Sequence, residues 1–231
     1  MATLIRFFAQ PKYSIINAKL TGYELFIRKR ETRDSTWFLP ENFNKFTPKK
    51  IITLLTDTLK TLPRGLNSIS INLNQEQFVD LNYFELLTAL QPKTPIKLQI
   101  ELTEQQAIDK TACESSEIVT MAKAYQQAGM YLCLDDIGTG ANQYELVQQL
   151  APFVFEYKFA LQNIRQLVQL TELKTQIGIW RERAQQQHKL FVLEGLETFD
   201  DLALIQLFRP DVVQGYYFGK PYLLPIASDF A

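Results

Sequence analysis

Short β-rich runs alternate along this chain with segments of helical periodicity, and that alternation restricts the fold more than any other feature. The runs are LIRFFAQ, GYELFIR, SISINLN, IKLQIEL, YLCLDD, FVFEYKF, LFVLEG and DVVQGYYF. The helices between them have readable starts. Thr47 before Pro48 makes an N-cap and first turn, and Ile51, Ile52, Leu55, Leu59 and Leu62 then recur on one face. Ile118, Met121, Ala122 and Tyr125 repeat in the same way, with Gly129 to close that helix, and Thr198 with Asp201 caps DDLALIQLF. Strand–helix units repeated this often predict an α/β protein built as a TIM-like (β/α)8 barrel rather than an open sheet. The first two runs have no helix between them. A hairpin is expected there, so one strand near the N-terminus should run antiparallel to the rest. Residues 1–231 read as a single domain, with no linker, repeat or low-complexity segment and with the longest irregular stretch from about Lys29 to Thr47.

Barrels of this kind build their sites at the C-terminal ends of the strands. The polar residues at or near those ends are Glu24, Asn72, Glu101, Asp135, Asp136, Lys158, Glu194 and Gln214, each following or interrupting a run that otherwise reads as core. Asp135 and Asp136 stand side by side in LDDIGTG, where like charges repel, unless a cation cancels the repulsion. Carboxylates with an amide oxygen, and no histidine or thiolate, form a hard-oxygen set suited to Mg²⁺ or Mn²⁺. A shared carboxylate can bridge two such ions roughly 3.5–4 Å apart and clamp a phosphoryl centre.

Composition removes other classes. The net charge of -1 gives no bulk attraction to DNA, RNA or an anionic membrane. His188 is the single histidine, which excludes histidine triads and His-rich zinc sites. Cys113 and Cys133, in a chain whose N-terminal apolar run is too short for a signal peptide, read as reduced thiols of a cytoplasmic protein. No run is long enough to span a membrane. GKP around Lys220 lacks the glycine spacing of a P-loop.

The ordered motifs resemble the EAL-domain phosphodiesterases of cyclic di-GMP signalling along nearly the whole chain. FAQPKYSI looks like the opening strand, and YELFIR looks like the signature Glu-x-Leu-x-Arg with Glu24 and Arg28 kept. INLN supplies Asn72, IELTE supplies Glu101 and Glu104, and LDDIGTG is close to Asp-Asp-Phe-Gly-Thr-Gly. Lys158 in FEYKFA, Glu194 and Glu197 in LEGLET, and Gln214 in VQGYYFGKP complete the series. The resemblance implies a two-metal Mg²⁺ or Mn²⁺ site, with Glu24, Asn72, Glu101 and Asp135 around the first ion and Asp135 with Asp136 at the second. It implies that Lys158 positions water or stabilises phosphoryl charge, that Glu194 acts as general base or water-orienting carboxylate, and that Arg28 contacts a substrate phosphate. Glu104 would brace the loop after the paired aspartates, and Glu197 and Gln214 would line the metal–lysine network. Gln10 would touch a guanine base, although a strand-end glutamine is ordinarily just solvated.

Three departures from the family pattern stand out. Phe26 replaces leucine in the signature, Ala160 stands where an aspartate usually follows the lysine by two residues, and ANQYEL replaces the serine-rich loop after DDIGTG. Two functions follow. One is hydrolysis of cyclic di-GMP to linear pGpG, slowed by Ala160. The other is a catalytically weak or inactive module that binds cyclic di-GMP or a protein partner. A homodimer and a regulatory protein partner are both open, since the altered loop belongs to the family's dimer contact.

Overall fold

The computed structural model describes residues 4–32, 35–103, 113–138 and 144–229. The chain opens with a long hairpin, β1 (Leu4–Ser14) and β2 (Leu20–Arg30), paired antiparallel from Leu4 opposite Arg30 to Tyr13 opposite Leu20. It continues through α1 (Pro48–Leu59), β3 (Ser68–Leu73), α2 (Gln75–Val79), α3 (Leu81–Leu90), β4 (Lys97–Leu102), α4 (Ser115–Gln127) and β5 (Tyr131–Leu134). Then come α5 (Tyr144–Leu150), β6 (Glu156–Ala160), α6 (Leu161–Ile164), α7 (Leu170–Gln186), β7 (Leu190–Glu194), α8 (Leu202–Phe208), β8 (Val212–Val213) and β9 (Tyr222–Leu223).

The sheet runs β2-β3-β4-β5-β6-β7-β8-β1, and the β1–β2 pairing closes it into a ring. Strands β2 to β8 run parallel to one another in sequence, whereas β1 is antiparallel to both β2 and β8. The expected barrel with one antiparallel N-terminal strand is therefore what forms. β9 was not foreseen; it pairs with β1 outside the ring. β8 is also far shorter than DVVQGYYF suggests, because Gly215 at φ 154 turns the chain, and the Phe218 and Gly219 N–H groups donate back to its carbonyl.

The helix starts follow the sequence signals. The Thr47 hydroxyl accepts from the Lys50 N–H at the head of α1, and Ile51, Ile52 and Leu55 are buried below it. Thr198 and Asp201 form a reciprocal capping box ahead of α8. The apolar core lies between the ring and its helices, where Phe7, Ile71, Leu98, Leu134, Tyr157 and Phe191 meet Leu55, Leu87, Tyr125 and Ile177. Strand side chains alternate between faces, so the residues between these apolar ones face the lumen. That places the site.

Candidate active site

At the C-terminal ends of the parallel strands opens a cavity of about 390 Å³ whose lining includes Gln10, Glu24, Arg28, Asn72, Asp135, Asp136, Lys158, Glu194, Glu197 and Gln214. Glu101 does not line it but is fully buried behind it, bonded to Lys158. Of the residues expected to form a site, only Glu104 falls outside the described residues, as do the first three residues (141–143) of the altered ANQYEL loop.

Lys158 is the hub. Its Nζ lies 2.7 Å from Glu24 Oε2, 2.8 Å from Glu101 Oε2, 2.8 Å from Glu194 Oε2 and 3.3 Å from Asp135 Oδ1. Burial would lower its pKa, but the carboxylates of Asp135, Glu101, Glu194 and Glu24 outweigh burial and raise it well above the ordinary value. One ammonium cannot satisfy so many acids. Burial pushes the Asp135 carboxyl well above its usual range, Lys158 opposes this, and the charges of Asp136, Glu194 and Glu101 add to it. Burial and the Glu101 charge likewise raise Glu24, with Lys158 opposing. For Glu101 burial also raises the pKa, but the ammonium groups of Lys158 and Lys12 prevail and hold it at about 2.

The surrounding amides fix these acids. Asn72 Nδ2 donates to Glu24 Oε1 at 2.6 Å, and Gln214 Nε2 donates to Glu24 Oε2 at 2.7 Å and to Gln10 Oε1 at 3.1 Å. Gln162 Nε2 donates to Glu194 Oε1 at 2.6 Å, and Asn163 Nδ2 donates to Asp136 Oδ1 at 2.7 Å. Gln162 and Asn163 were not foreseen; ALQNI reads only as a helix start. Asp135 is anchored by its N–H donating to the Leu102 carbonyl, while Asp136 sits in the left-handed region at φ 51. Two residues on, Gly138 at φ 86 leaves room for Trp180, whose Nε1 would lie 2.6 Å from an added Cβ.

Two placements complete the site. Gln10 is buried rather than solvated, because β1 carries it across from Glu24 and its Nε2 donates to the Gly219 carbonyl at 3.2 Å. Glu197 is exposed at the cavity rim, apart from the lysine cluster, with its N–H donating to Asp201 Oδ2.

The donor set fits divalent cations. Glu24, Glu101 and Asp135 each offer an oxygen within 4.8 Å of the others, and so do Asp135, Asp136 and Glu194. The two sets share Asp135, as a bridging carboxylate would. Asn72 spends its Nδ2 on Glu24 and leaves Oδ1 buried with no hydrogen-bond partner. A buried amide oxygen without a donor costs free energy unless something binds it, and a hard cation does.

Known proteins repeat this architecture. The probable cyclic di-GMP phosphodiesterase PdeB of Escherichia coli (strain K12) is 26% identical over 237 residues, covering 91% of this chain and 41% of that protein. The chain thus spans less than half of that relative's length. The cyclic di-GMP complex of the phosphodiesterase PaMucR superposes with a TM-score of 0.76 at 18% identity, covering 98% of this chain and 94% of that one. The manganese and cyclic-diGMP complex of Klebsiella pneumoniae BlrP1 gives a TM-score of 0.77 at 19% identity, covering 96% of this chain and 57% of the other. The EAL domain model matches residues 3–221, so the chain belongs to the EAL domain family.

Proposed function

We propose that this protein is a metal-dependent phosphodiesterase that opens cyclic di-GMP to linear pGpG in cytoplasmic bacterial signalling. The observation that carries this reading is the pair of acidic sets sharing Asp135, with Lys158 2.7–3.3 Å from four of their carboxylates, in a cavity large enough for a nucleotide. Glu24, Asn72, Glu101 and Asp135 would hold one Mg²⁺ or Mn²⁺, and Asp135 with Asp136 the other, with Glu194 beside the second. Bound there, the ions supply Lewis-acid polarisation of the phosphoryl group and activation of the attacking water.

The remaining work falls to side chains. Arg28 lines the cavity with its Nη1 buried and unpartnered, and a phosphate oxygen satisfies that donor. Glu194, held by Gln162 on one oxygen and Lys158 on the other, orients water and accepts its proton. Lys158 offsets negative charge as it grows on the phosphoryl oxygens. Gln214 holds Glu24 and donates to Gln10, and both glutamines line the cavity toward the substrate. Glu197 lies at the rim, and Glu104 retains its assignment as brace for the loop after the aspartates.

The test incubates purified protein with Mn²⁺ or Mg²⁺ and cyclic di-GMP and resolves the products by chromatography. Linear pGpG is expected. Ala160, buried where the family pattern has an acid, favours a second reading of a receptor that binds without turnover. Saturable binding of intact cyclic di-GMP with no product over hours would select it.

A further inference from the structure

Beneath the carboxylate cluster lies a second polar layer. Its members stand two residues from a site residue on the same strand, which gives them the same lumen face. On antiparallel β1 this residue is Lys12, next to Gln10. Lys12 Nζ donates to Ser70 Oγ, Gln99 Oε1 and Glu101 Oε1, each at 3.1 Å, and lies 3.8 Å from Glu156 Oε1. Gln99 Nε2 donates in turn to Glu156 Oε1 at 2.8 Å. Lys12 is 2% exposed and does not line the cavity, so it cannot touch a substrate there.

Its three donors are fully used, and their geometry matters for Glu101. That carboxylate is gripped from two sides, with Oε1 on Lys12 below and Oε2 on Lys158 at 2.8 Å in the site. Lys158 is shared with Glu24, Asp135 and Glu194, whereas Lys12 engages no other member of the upper cluster. An apolar side chain would fill the lumen without the cost of burying an ammonium. A barrel filler does not account for the choice of lysine.

We propose that Lys12 is a positioning residue that holds Oε1 of Glu101 and so presents Oε2 to a divalent cation between Glu24, Asn72 and Asp135. The inference rests on the metal-site reading above. Partners that orient metal ligands typically change affinity by about 10–100-fold when removed.

Lys12→Met alone strands two buried acids and can fail to fold, so the informative variant is Lys12→Met/Glu156→Gln, which removes the cation together with the second acid. Lys12→Gln/Glu156→Gln is its partner, because an amide keeps one donor for Glu101. Each is measured for metal-free thermal unfolding and for Mn²⁺ affinity by calorimetry. The methionine double variant should unfold cooperatively and bind Mn²⁺ at least about ten-fold more weakly than wild type. The glutamine double variant should fall between them, and Glu156→Gln alone should match wild type. Equal Mn²⁺ affinity in a folded methionine variant, or an equal loss in Glu156→Gln, overturns the role of Lys12 alone. A wild type that takes up no Mn²⁺ overturns the metal-site reading and this inference with it.

Discussion

Arg28 and Glu194 both face the cavity, but in opposite states of satisfaction. Arg28 keeps a buried Nη1 without a partner, while both Glu194 oxygens are engaged, by Gln162 at 2.6 Å and Lys158 at 2.8 Å. An unsatisfied donor gains most on ground-state binding; a pre-oriented carboxylate gains most in the transition state. Arg28→Ala should therefore weaken cyclic di-GMP binding by about 1.5–3 kcal/mol. Glu194→Gln should leave affinity nearly intact and lower kcat by roughly 10²–10⁴. Calorimetric Kd values beside steady-state kcat decide it, and a Glu194→Gln variant that loses only affinity reverses the assignment. The upper cluster was legible because each member breaks an apolar run at a strand end. Lys12, Gln99 and Glu156 were not, since a polar residue alternating with apolar ones is also what a half-solvated strand shows. The signal that could have found them is parity: Gln99 and Glu156 precede Glu101 and Lys158 by two.

At the scale of elements, the corner between β7 and α8 holds the rim of the site. Asp201 accepts from the N–H groups of Glu197 at 2.8 Å and Thr198 at 2.9 Å, and Arg165 lies 2.8 Å away. Burial would raise its carboxyl, but those backbone donors and Arg165 hold it below the ordinary 3.8. A depressed folded value means stability that is present above the unfolded pKa and lost as the pH falls through the folded one. Asp201→Asn should cost about 1.5–3 kcal/mol near neutral pH. The gap from wild type should close below about pH 4, as the wild-type carboxyl protonates. Denaturant unfolding at both pH values checks this, and a pH-independent difference would point to shape instead of charge. The capping box was readable from Thr198 and Asp201, whereas β9, two residues long and paired with β1, carries too little pattern to be seen. Nearby, β6 does extend to Ala160, which pairs with Glu194 and shares a face with Lys158. An acid there would add a hard oxygen beside Glu194, so Ala160→Asp should raise kcat with little change in cyclic di-GMP affinity. A slower variant would mean that alanine is no defect.

At the scale of the whole molecule, the acids of the site come from β2, β4 and β7 and from the end of β5, and Lys158 from β6. Any cation they share ties strands around most of the ring. Without one, the cluster holds more carboxylate than Lys158 can neutralise, which is why burial and like charge push Asp135 and Glu24 upward. Function and stability then pull on Asp135 in opposite directions, a common tension at active sites. Mn²⁺ at a hundred times its Kd should add about 2.7 kcal/mol to wild-type stability. For a barrel of this size that is a rise in Tm of about 5–10 °C. Asp135→Asn keeps the oxygen that accepts the Asp136 N–H at 3.0 Å while removing a charge from the crowded cluster. It should raise the Tm of the metal-free protein and abolish most of the Mn²⁺-dependent rise. Differential scanning calorimetry of both proteins, with and without Mn²⁺, reads the two effects separately. A variant that melts lower than wild type in the metal-free state yet keeps the full Mn²⁺ response would show that Asp135 serves the barrel and not the cation.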